Sequence, residues 1–226
     1  RDAFVKFLLG LYLEGKIVSI FHVKNDSISD AIVPEEINLI YGKDHIEEEV
    51  LGLKFKISPF SFFQTNTRSA EVLYTIAREK IDAKDKLVFD LYSGTGTITQ
   101  ILAESAKKVI GVEIVEEAVE AARENAVLNK IENVEFIAED VLKVLDDLDK
   151  NPDLIVLDPP REGINPKAIE KIIDFAPEKF LYISCNPVTL VRDLKVFGNR
   201  GEIEIVDQFP KTSHVECIAL IQRVKL

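Results

Sequence analysis

The chain has 226 residues, of which 46% are hydrophobic and 30% charged, values typical of a water-soluble domain with a sizeable core. Its net charge of −11 excludes the basic footprint of a protein that binds nucleic acid strongly by itself. With two cysteines, no signal peptide and no apolar run long enough to cross a membrane, the sequence predicts a protein of the reducing cytoplasm.

The first part of the chain lacks the pattern of alternating strands and helices. Residues 16–23 alternate between apolar and polar side chains, which indicates a half-buried strand. Residues 47–51 and 53–57 flank Gly52 and indicate a hairpin or a bulge. We therefore predict that residues 1–57 form a small antiparallel β segment, the remnant of a larger β-rich domain. Methionine is absent even from position 1, so we expect the chain to be part of a longer protein.

Aromatic and polar residues mix in the stretch 58–66, which contains Phe60, Phe62, Phe63 and Gln64. Two interpretations fit this stretch equally well: a wall for a planar ligand, or a loop with a hydrophobic plug. A helix is predicted over 67–81, because apolar residues follow at helical spacing. They are Val72, Leu73, Ile76, Ala77 and Ile81.

From Lys86 onward, strands and helices alternate regularly. The predicted strands are 86–91, 108–113, 133–138, 153–158, 179–184, 202–207 and 215–221. The apolar face of a helix lies between the second and third strands, at Val115, Ala118, Val119, Ala122 and Ala126. The last two strands are joined only by 208–214, which permits an antiparallel pair but no crossover. This α/β plan is that of the class I methyltransferase fold, whose seven-stranded sheet is parallel except for one strand, and we assign it to residues 58–226.

Acidic side chains and glycines follow the first three strands of this plan. Gly94 and Gly96 lie between a strand and a helix, where glycine lets the backbone approach a ligand. The third glycine of a dinucleotide fingerprint is missing, and Asp90 suits a cationic amino-acid group better than a pyrophosphate. Glu113 can hold ribose hydroxyls, and Asp140 can reach an adenine amino group. Together they favour S-adenosylmethionine over a nicotinamide dinucleotide, although each acid alone is equally consistent with a solvated strand end.

The fourth and fifth strands end in residues suited to chemistry on a base. Asp158 is followed by two prolines that hold the backbone extended, so that Pro159 can face a planar base. Arg161 stands where many amino-group methyltransferases have an aromatic residue, which favours carbon as the methyl acceptor. Cys185 ends the apolar run 181–184, where open α/β sheets bind ligands, although a lone cysteine is more often a small buried hydrophobe.

Five phrases of this sequence, in this order, resemble the RNA 5-methyluridine methyltransferases. They are Phe62-Phe63-Gln64-Thr65-Asn66, Asp90-Leu91-Tyr92-Ser93-Gly94-Thr95-Gly96, Asp158-Pro159-Pro160-Arg161, Ser184-Cys185-Asn186-Pro187 and His214-Val215-Glu216. The resemblance covers the chain from about residue 50 to its C-terminus. It implies a nucleophile at Cys185 and a base at Glu216, with Gln64, Tyr92, Glu113 and Asp158 lining the cofactor site.

The resemblance also implies a tRNA or rRNA substrate. Family members usually carry an upstream RNA-binding β-barrel, and some have an iron–sulfur cluster held by cysteines. Neither is present in this sequence, so we expect RNA affinity to come mainly from a missing N-terminal domain. We predict no metal site. We expect Phe63, Pro159 and Arg161 to contact the substrate.

The chemistry of uracil requires residues of these types. Carbon 5 is a poor nucleophile, and a thiolate that adds to carbon 6 makes it reactive. The thiol must be ionised, and Arg161 and Arg192 are candidates to promote this. A base must then remove the carbon 5 proton, a role that suits Glu216 in its apolar strand. Cys217 is predicted to point into the core on the opposite face.

Two alternatives stay open from the sequence. A cytosine carbon-5 methyltransferase uses the same covalent logic, but it usually pairs its cysteine with other motifs. A non-catalytic RNA-binding scaffold that keeps the fold is disfavoured by the presence of Cys185, Glu216 and Asp158.

Overall fold

The structure of the chain is a computed structural model, and it describes residues 2–26, 35–59, 61–147, 151–197, 201–209, 212 and 214–222. The chain divides into two compact units. The first unit contains 1–48 and 56–61, and the second contains 49–55 and 62–226. The domain boundary predicted after residue 57 lies within 56–61, which belongs to the first unit. In the described ranges, no helix combines the length and apolar character needed to cross a membrane.

The first part of the chain is built from one helix and short antiparallel strands. They are α1 (Asp2–Leu9), β1 (Ser19–Lys24), β2 (Glu36–Gly42), β3 (Ile46–Val50) and β4 (Leu53–Ile57). β1 pairs antiparallel with β2, and β3 pairs with β4 around a turn at Gly52, as the sequence predicts. No sequence pattern indicates α1 or β2. Gly42 ends β2 at a φ of 82°, where a Cβ atom would lie 1.9 Å from the Val18 carbonyl oxygen, so only glycine fits.

Seven strands form the sheet of the second unit. They are β5 (Leu87–Leu91), β6 (Lys108–Glu113), β7 (Val134–Ala138), β8 (Leu154–Leu157), β9 (Lys179–Ser184), β10 (Gly201–Val206) and β11 (Glu216–Gln222). Their order is β10-β11-β9-β8-β5-β6-β7. β11 runs antiparallel to both of its neighbours, and the other adjacent pairs are parallel. The predicted sheet and its closing antiparallel pair are confirmed.

The strands alternate with helices whose starts are marked in the sequence. The helices are α2 (Thr67–Ile81), α3 (Thr97–Ala103), α4 (Glu116–Leu128), α5 (Val141–Asp147), α6 (Pro166–Asp174) and α7 (Pro187–Val196). α6 and α7 each begin with proline after an asparagine, Asn165 or Asn186, whose side chain accepts a hydrogen bond from the first turn. Pro187 therefore starts α7, three residues after β9 ends at Ser184.

Two predicted helix faces need correction. Val72 does not belong to the buried face of α2, since it is 52% exposed, and Tyr74 is buried instead. A stripe at i, i+4 and i+7 from Ala70 passes through Tyr74 and Ala77 and leaves Val72 on the solvent side. Val115 is also exposed, because it lies at the N-cap of α4 and not inside the helix.

The core of the second unit lies on the central strands of the sheet. All four residues of β8 are buried, as are the last four of β5, which is expected of parallel strands covered on both faces. Because β5, β6, β8 and β9 run parallel, their carboxyl ends meet at one edge of the sheet. Because β11 is antiparallel, its first residue, Glu216, comes to the same edge.

Candidate active site

A cavity of about 560 Å³ opens at this edge of the sheet, a volume within the range of small-molecule sites. Ten of the site residues predicted from the sequence line it: Phe63, Gln64, Tyr92, Gly94, Glu113, Asp158, Pro159, Arg161, Cys185 and Glu216. Asp90, Gly96 and Asp140 are not among its lining residues. The lining also includes Phe62, which the sequence places in a possible ligand wall, and residues with no predicted role: Tyr74, Ser93, Thr95, Thr97, Ile98, Ile114 and Pro160.

The loop after β5 forms one wall of the cavity. Tyr92, Gly94 and Gly96 have φ angles of 69°, 53° and 74°. A Cβ atom at Gly96 would lie 2.7 Å from the Phe136 ring, whereas a Cβ atom at Gly94 would meet nothing within 4 Å. Gly96 therefore serves close packing at the start of α3, and Gly94 leaves open space in front of the backbone.

Asp90 lies beneath this loop and is fully buried. Its Oδ2 accepts a hydrogen bond of 2.5 Å from the Thr99 hydroxyl, and its Oδ1 is buried with no partner among the described residues. Burial raises the pKa of Asp90 to about 7, although the Thr99 hydrogen bond opposes this. In the structure, Asp90 anchors α3 from below the cavity.

Glu113 ends β6 beside the loop. Its Oε2 accepts from the Gly94 amide at 3.0 Å, and its Oε1 accepts from the Val115 amide at 2.9 Å. The carboxylate is thus fixed at the cavity wall with lone pairs left for hydroxyl donors. Asp140 instead caps α5, where its Oδ1 accepts from the Leu142 amide at 2.8 Å.

One polar atom of the cavity wall lacks a partner. The Ser93 hydroxyl is buried and makes no hydrogen bond within the described residues. An unpaired buried hydroxyl costs free energy, and this one lies beside Gly111 of β6, where a Cβ atom would come within 3.0 Å of it.

Cys185 and Glu216 lie on neighbouring strands at the opposite side of the cavity. Ser184, the residue before Cys185, pairs with Cys217, the residue after Glu216. Cys185 is partly exposed, whereas Cys217 is 3% exposed and belongs to the core. The prediction that Cys217 points into the core is confirmed.

Electrostatics set these two groups apart from ordinary side chains. Burial raises the pKa of Glu216 to about 7, against the lowering effect of the Arg161 guanidinium. Burial and the Glu216 carboxylate raise the pKa of Cys185, and hydrogen bonding to Arg161 opposes the rise. Burial, with the carboxylates of Glu216 and Asp90, raises the pKa of Asp158 to about 8. Perturbed acids clustered in a cavity are typical of a catalytic site.

The structure distinguishes between the two candidate arginines. Arg161 acts on the Cys185 thiol, and its Nη2 lies 3.1 Å from His214 Nδ1. Arg192 is engaged elsewhere, because it donates to Asp193 Oδ1 at 2.7 Å and to the Glu162 carbonyl at 2.8 Å. Arg161 is therefore the cation of the site.

The aromatic stretch 58–66 contributes Phe62, Phe63 and Gln64 to the lining of the cavity. Phe63 packs on Phe55 with ring centroids 5.8 Å apart, while Phe62 is 74% exposed. Phe60 lies outside the described residues. Gln64 Oε1 accepts a hydrogen bond of 2.6 Å from Gln208 Nε2. Gln208 lies in a short link with no recognisable pattern, so no signal in the sequence could have identified this contact.

Comparisons with known proteins place these observations in context. The family model described as tRNA (Uracil-5-)-methyltransferase matches residues 34–224. An "Uncharacterized RNA methyltransferase" of Clostridium tetani is 50% identical over 98% of this chain and 50% of its own length. One of Porphyromonas gingivalis is 44% identical over 92% of this chain and 47% of its own length. The chain spans about half the length of the curated relatives it matches.

The comparison with solved structures also finds methyltransferases. The tRNA (uracil-54, C5)-methyltransferase of Pyrococcus abyssi, crystallised with S-adenosyl-L-homocysteine, superposes with a TM-score of 0.78 at 34% identity. The match covers 90% of this chain and 50% of that one. A SAM-dependent methyltransferase of Agrobacterium tumefaciens has a TM-score of 0.63 at 15% identity over 83% and 73% of the two chains, which shows a common fold only.

Proposed function

We propose that this chain, which belongs to the tRNA (uracil-5-)-methyltransferase family, transfers a methyl group from S-adenosylmethionine to carbon 5 of a uridine in RNA. One observation carries the proposal: a thiol, a carboxyl group with a pKa near 7 and a guanidinium meet in a single cavity. These are the three groups that covalent activation of a pyrimidine requires.

The cofactor half of the cavity suits S-adenosylmethionine. Glu113 offers carboxylate oxygens to ribose hydroxyls, and Gly94 leaves its backbone approachable. Tyr92 and Ile114 add apolar surface for a planar ring. When bound, S-adenosylmethionine supplies the methyl group as an electrophile.

The chemical half begins with Cys185. Its thiolate adds to carbon 6 of the uracil, which moves electron density to carbon 5 and makes that atom nucleophilic. Burial and Glu216 disfavour the thiolate, so the Arg161 guanidinium is the group that promotes ionisation.

Glu216 acts after the methyl group has arrived. Its carboxylate takes the proton from carbon 5, the carbon 5–carbon 6 double bond forms again, and the bond between Cys185 and carbon 6 breaks. A pKa of about 7 suits this role, because the group is then partly ionised at neutral pH and still an effective base. Asp158 and Pro159 also line the cavity, and we expect Pro159 to contact the base.

The proposal is tested by mass mapping of RNA from cells with and without the protein. We expect 5-methyluridine to be absent from one or a few positions when the protein is missing. Purified protein with S-adenosylmethionine should restore it to the same RNA. Unchanged 5-methyluridine in the cells, or restoration of 5-methylcytidine instead, would contradict the proposal.

A further inference from the structure

The loop that carries Arg161 is held by the helix that starts beside Cys185. Asn186 Nδ2 donates to the Arg161 carbonyl oxygen at 3.0 Å, and the Thr189 hydroxyl lies 3.2 Å from the same oxygen. Asn186 is the N-cap of α7, and Thr189 follows it by three residues on the same face of the helix. The residue next to Cys185 is thus bonded to the backbone of a residue 25 positions earlier in the chain.

The other end of this loop, 161–164, is bound to the same helix. Asp193, which is 1% exposed, accepts a hydrogen bond of 2.9 Å from the Ile164 amide through its Oδ2. The Tyr182 hydroxyl donates to the same oxygen at 2.8 Å. A buried carboxylate is tolerated when donors surround it, so Asp193 ties the loop to both α7 and β9.

The loop also packs directly on the helix. Gly163 has a φ of 78°, and a Cβ atom there would lie 2.5 Å from Arg192 Nη2 and 2.5 Å from Asp193 Oδ2. Glycine is therefore required at this position for its backbone conformation and for its size. Because loop and helix are in direct contact, the backbone of Arg161 cannot shift away from α7 unless the hydrogen bonds between them break.

The Asn186 side chain does more than a helix cap requires. Its Oδ1 accepts from the Val188 amide at 3.1 Å, a bond that serine or aspartate supplies equally well at an N-cap. The additional feature of asparagine is the NH₂ group that donates to Arg161. The Arg161 guanidinium promotes the Cys185 thiolate, and the attraction between two charges falls with distance. The position of the Arg161 backbone therefore determines how strongly the guanidinium acts on the thiol.

We propose that Asn186 and Thr189 are positioning residues that hold the Arg161 loop on α7, so that the guanidinium meets the Cys185 thiol before any RNA binds. The inference rests on the proposed function, in which Cys185 is the nucleophile. Neither positioning residue belongs to the lining of the cavity, so both act through Arg161. The nucleophile and the cation that activates it are then preorganised as one unit.

The experiment measures the alkylation of Cys185 by iodoacetamide over a range of pH, in intact protein without RNA. A Cys217→Ala background leaves Cys185 as the only cysteine of the sequence. Asn186→Ser keeps a side-chain cap and adds no charge, but it removes the NH₂ donor. We expect alkylation to slow about threefold or more at pH 8, and the difference to disappear at a pH where the thiol is ionised in both proteins. Thr189→Val, which removes a hydroxyl at similar shape, should slow alkylation in the same way.

Two comparisons show whether the effect passes through Arg161. In an Arg161→Met background, Asn186→Ser should slow alkylation no further, since the cation that it positions is gone. Asn133→Ser is the matched control. Asn133 Nδ2 also donates to backbone carbonyls, those of Ala103 and Ala106, but it lies just before β7. This control should leave the alkylation profile unchanged.

The outcomes separate the inference from the proposed function. An unchanged alkylation profile in Asn186→Ser, or in Thr189→Val if the first variant does not fold, would refute the inference. Equal slowing in the Arg161→Met background or in Asn133→Ser would refute it as well, because the effect would then not depend on Arg161. If the alkylation results are as expected but the wild-type protein does not methylate uridine in RNA, the proposed function is wrong and the positioning of Arg161 stands.

Discussion

Replacing Glu216 by Gln should make the protein more stable and trap it in the middle of its reaction. Burial raises the pKa of this carboxyl group from 4.5 to about 7. Each pKa unit corresponds to about 1.36 kcal/mol, so holding the carboxylate ionised in the folded state costs roughly 3 kcal/mol. A neutral amide of the same shape avoids that cost, so the substitution can stabilise the folded protein by at most this amount.

The pH dependence follows from the sign of the shift. Between pH 4.5 and 7 the unfolded chain releases a proton that the folded chain keeps, so wild-type stability falls as pH rises through this window. The stability advantage of Glu216→Gln should therefore be about 3 kcal/mol at pH 8 and below about 1 kcal/mol at pH 5. Urea unfolding at the two pH values measures it, and Glu124→Gln on the exposed face of α4 is the control.

The same variant should stop after methyl transfer. Without the base, the carbon 5 proton stays and Cys185 cannot leave, so a covalent protein–RNA adduct should accumulate as a band that resists denaturant. Its mass should exceed protein plus RNA by one methyl group. Normal turnover in Glu216→Gln would show that another group is the base, and a variant less stable than wild type at pH 8 would refute the burial argument.

Three further predictions concern the other groups of the cavity. Cys185→Ala should abolish methylation and the adduct on denaturing gels, whereas Cys217→Ala should stay close to wild type in activity; an adduct through Cys217 would overturn the assignment. Glu113→Ala should weaken S-adenosylhomocysteine binding about tenfold or more in calorimetry, since charged hydrogen bonds to the ribose are lost, and unchanged affinity would place the ribose elsewhere. Arg161→Met should raise the pKa of Cys185 and slow its alkylation by iodoacetamide at pH 8 several-fold; an equal alkylation rate would show that Arg161 does not promote the thiolate.

Much of the fold could be predicted because it is encoded in local periodicity. Buried parallel strands form continuous apolar runs such as 154–157, and the short link after residue 207 allows only an antiparallel pair. The N-terminal elements α1 and β2 were beyond such reasoning. Every residue of α1 is at least partly exposed, and β2 has no fully buried residue, so neither element forms the continuous buried run that marks the central strands.

Part of the candidate site could be predicted for a topological reason. Parallel strands bring their carboxyl ends to one edge, which places Asp158, Cys185 and Glu113 together once the strands are known. Chain alternation alone separated Cys217 from the site. The role of Glu216 came from the family resemblance, and its position beside Cys185 agrees with the antiparallel direction of β11.

Other features depended on contacts between distant parts of the chain. Asp90 and Asp140 follow the same strand-end pattern as Glu113, yet one carboxylate is buried against Thr99 and the other caps α5. Arg161 and Arg192 have the same charge, and only packing shows which one reaches the thiol. Sequence periodicity reports which face of an element is buried, but not which partner that face meets. The side-chain contact of Gln64 with Gln208, for example, joins residues 144 positions apart.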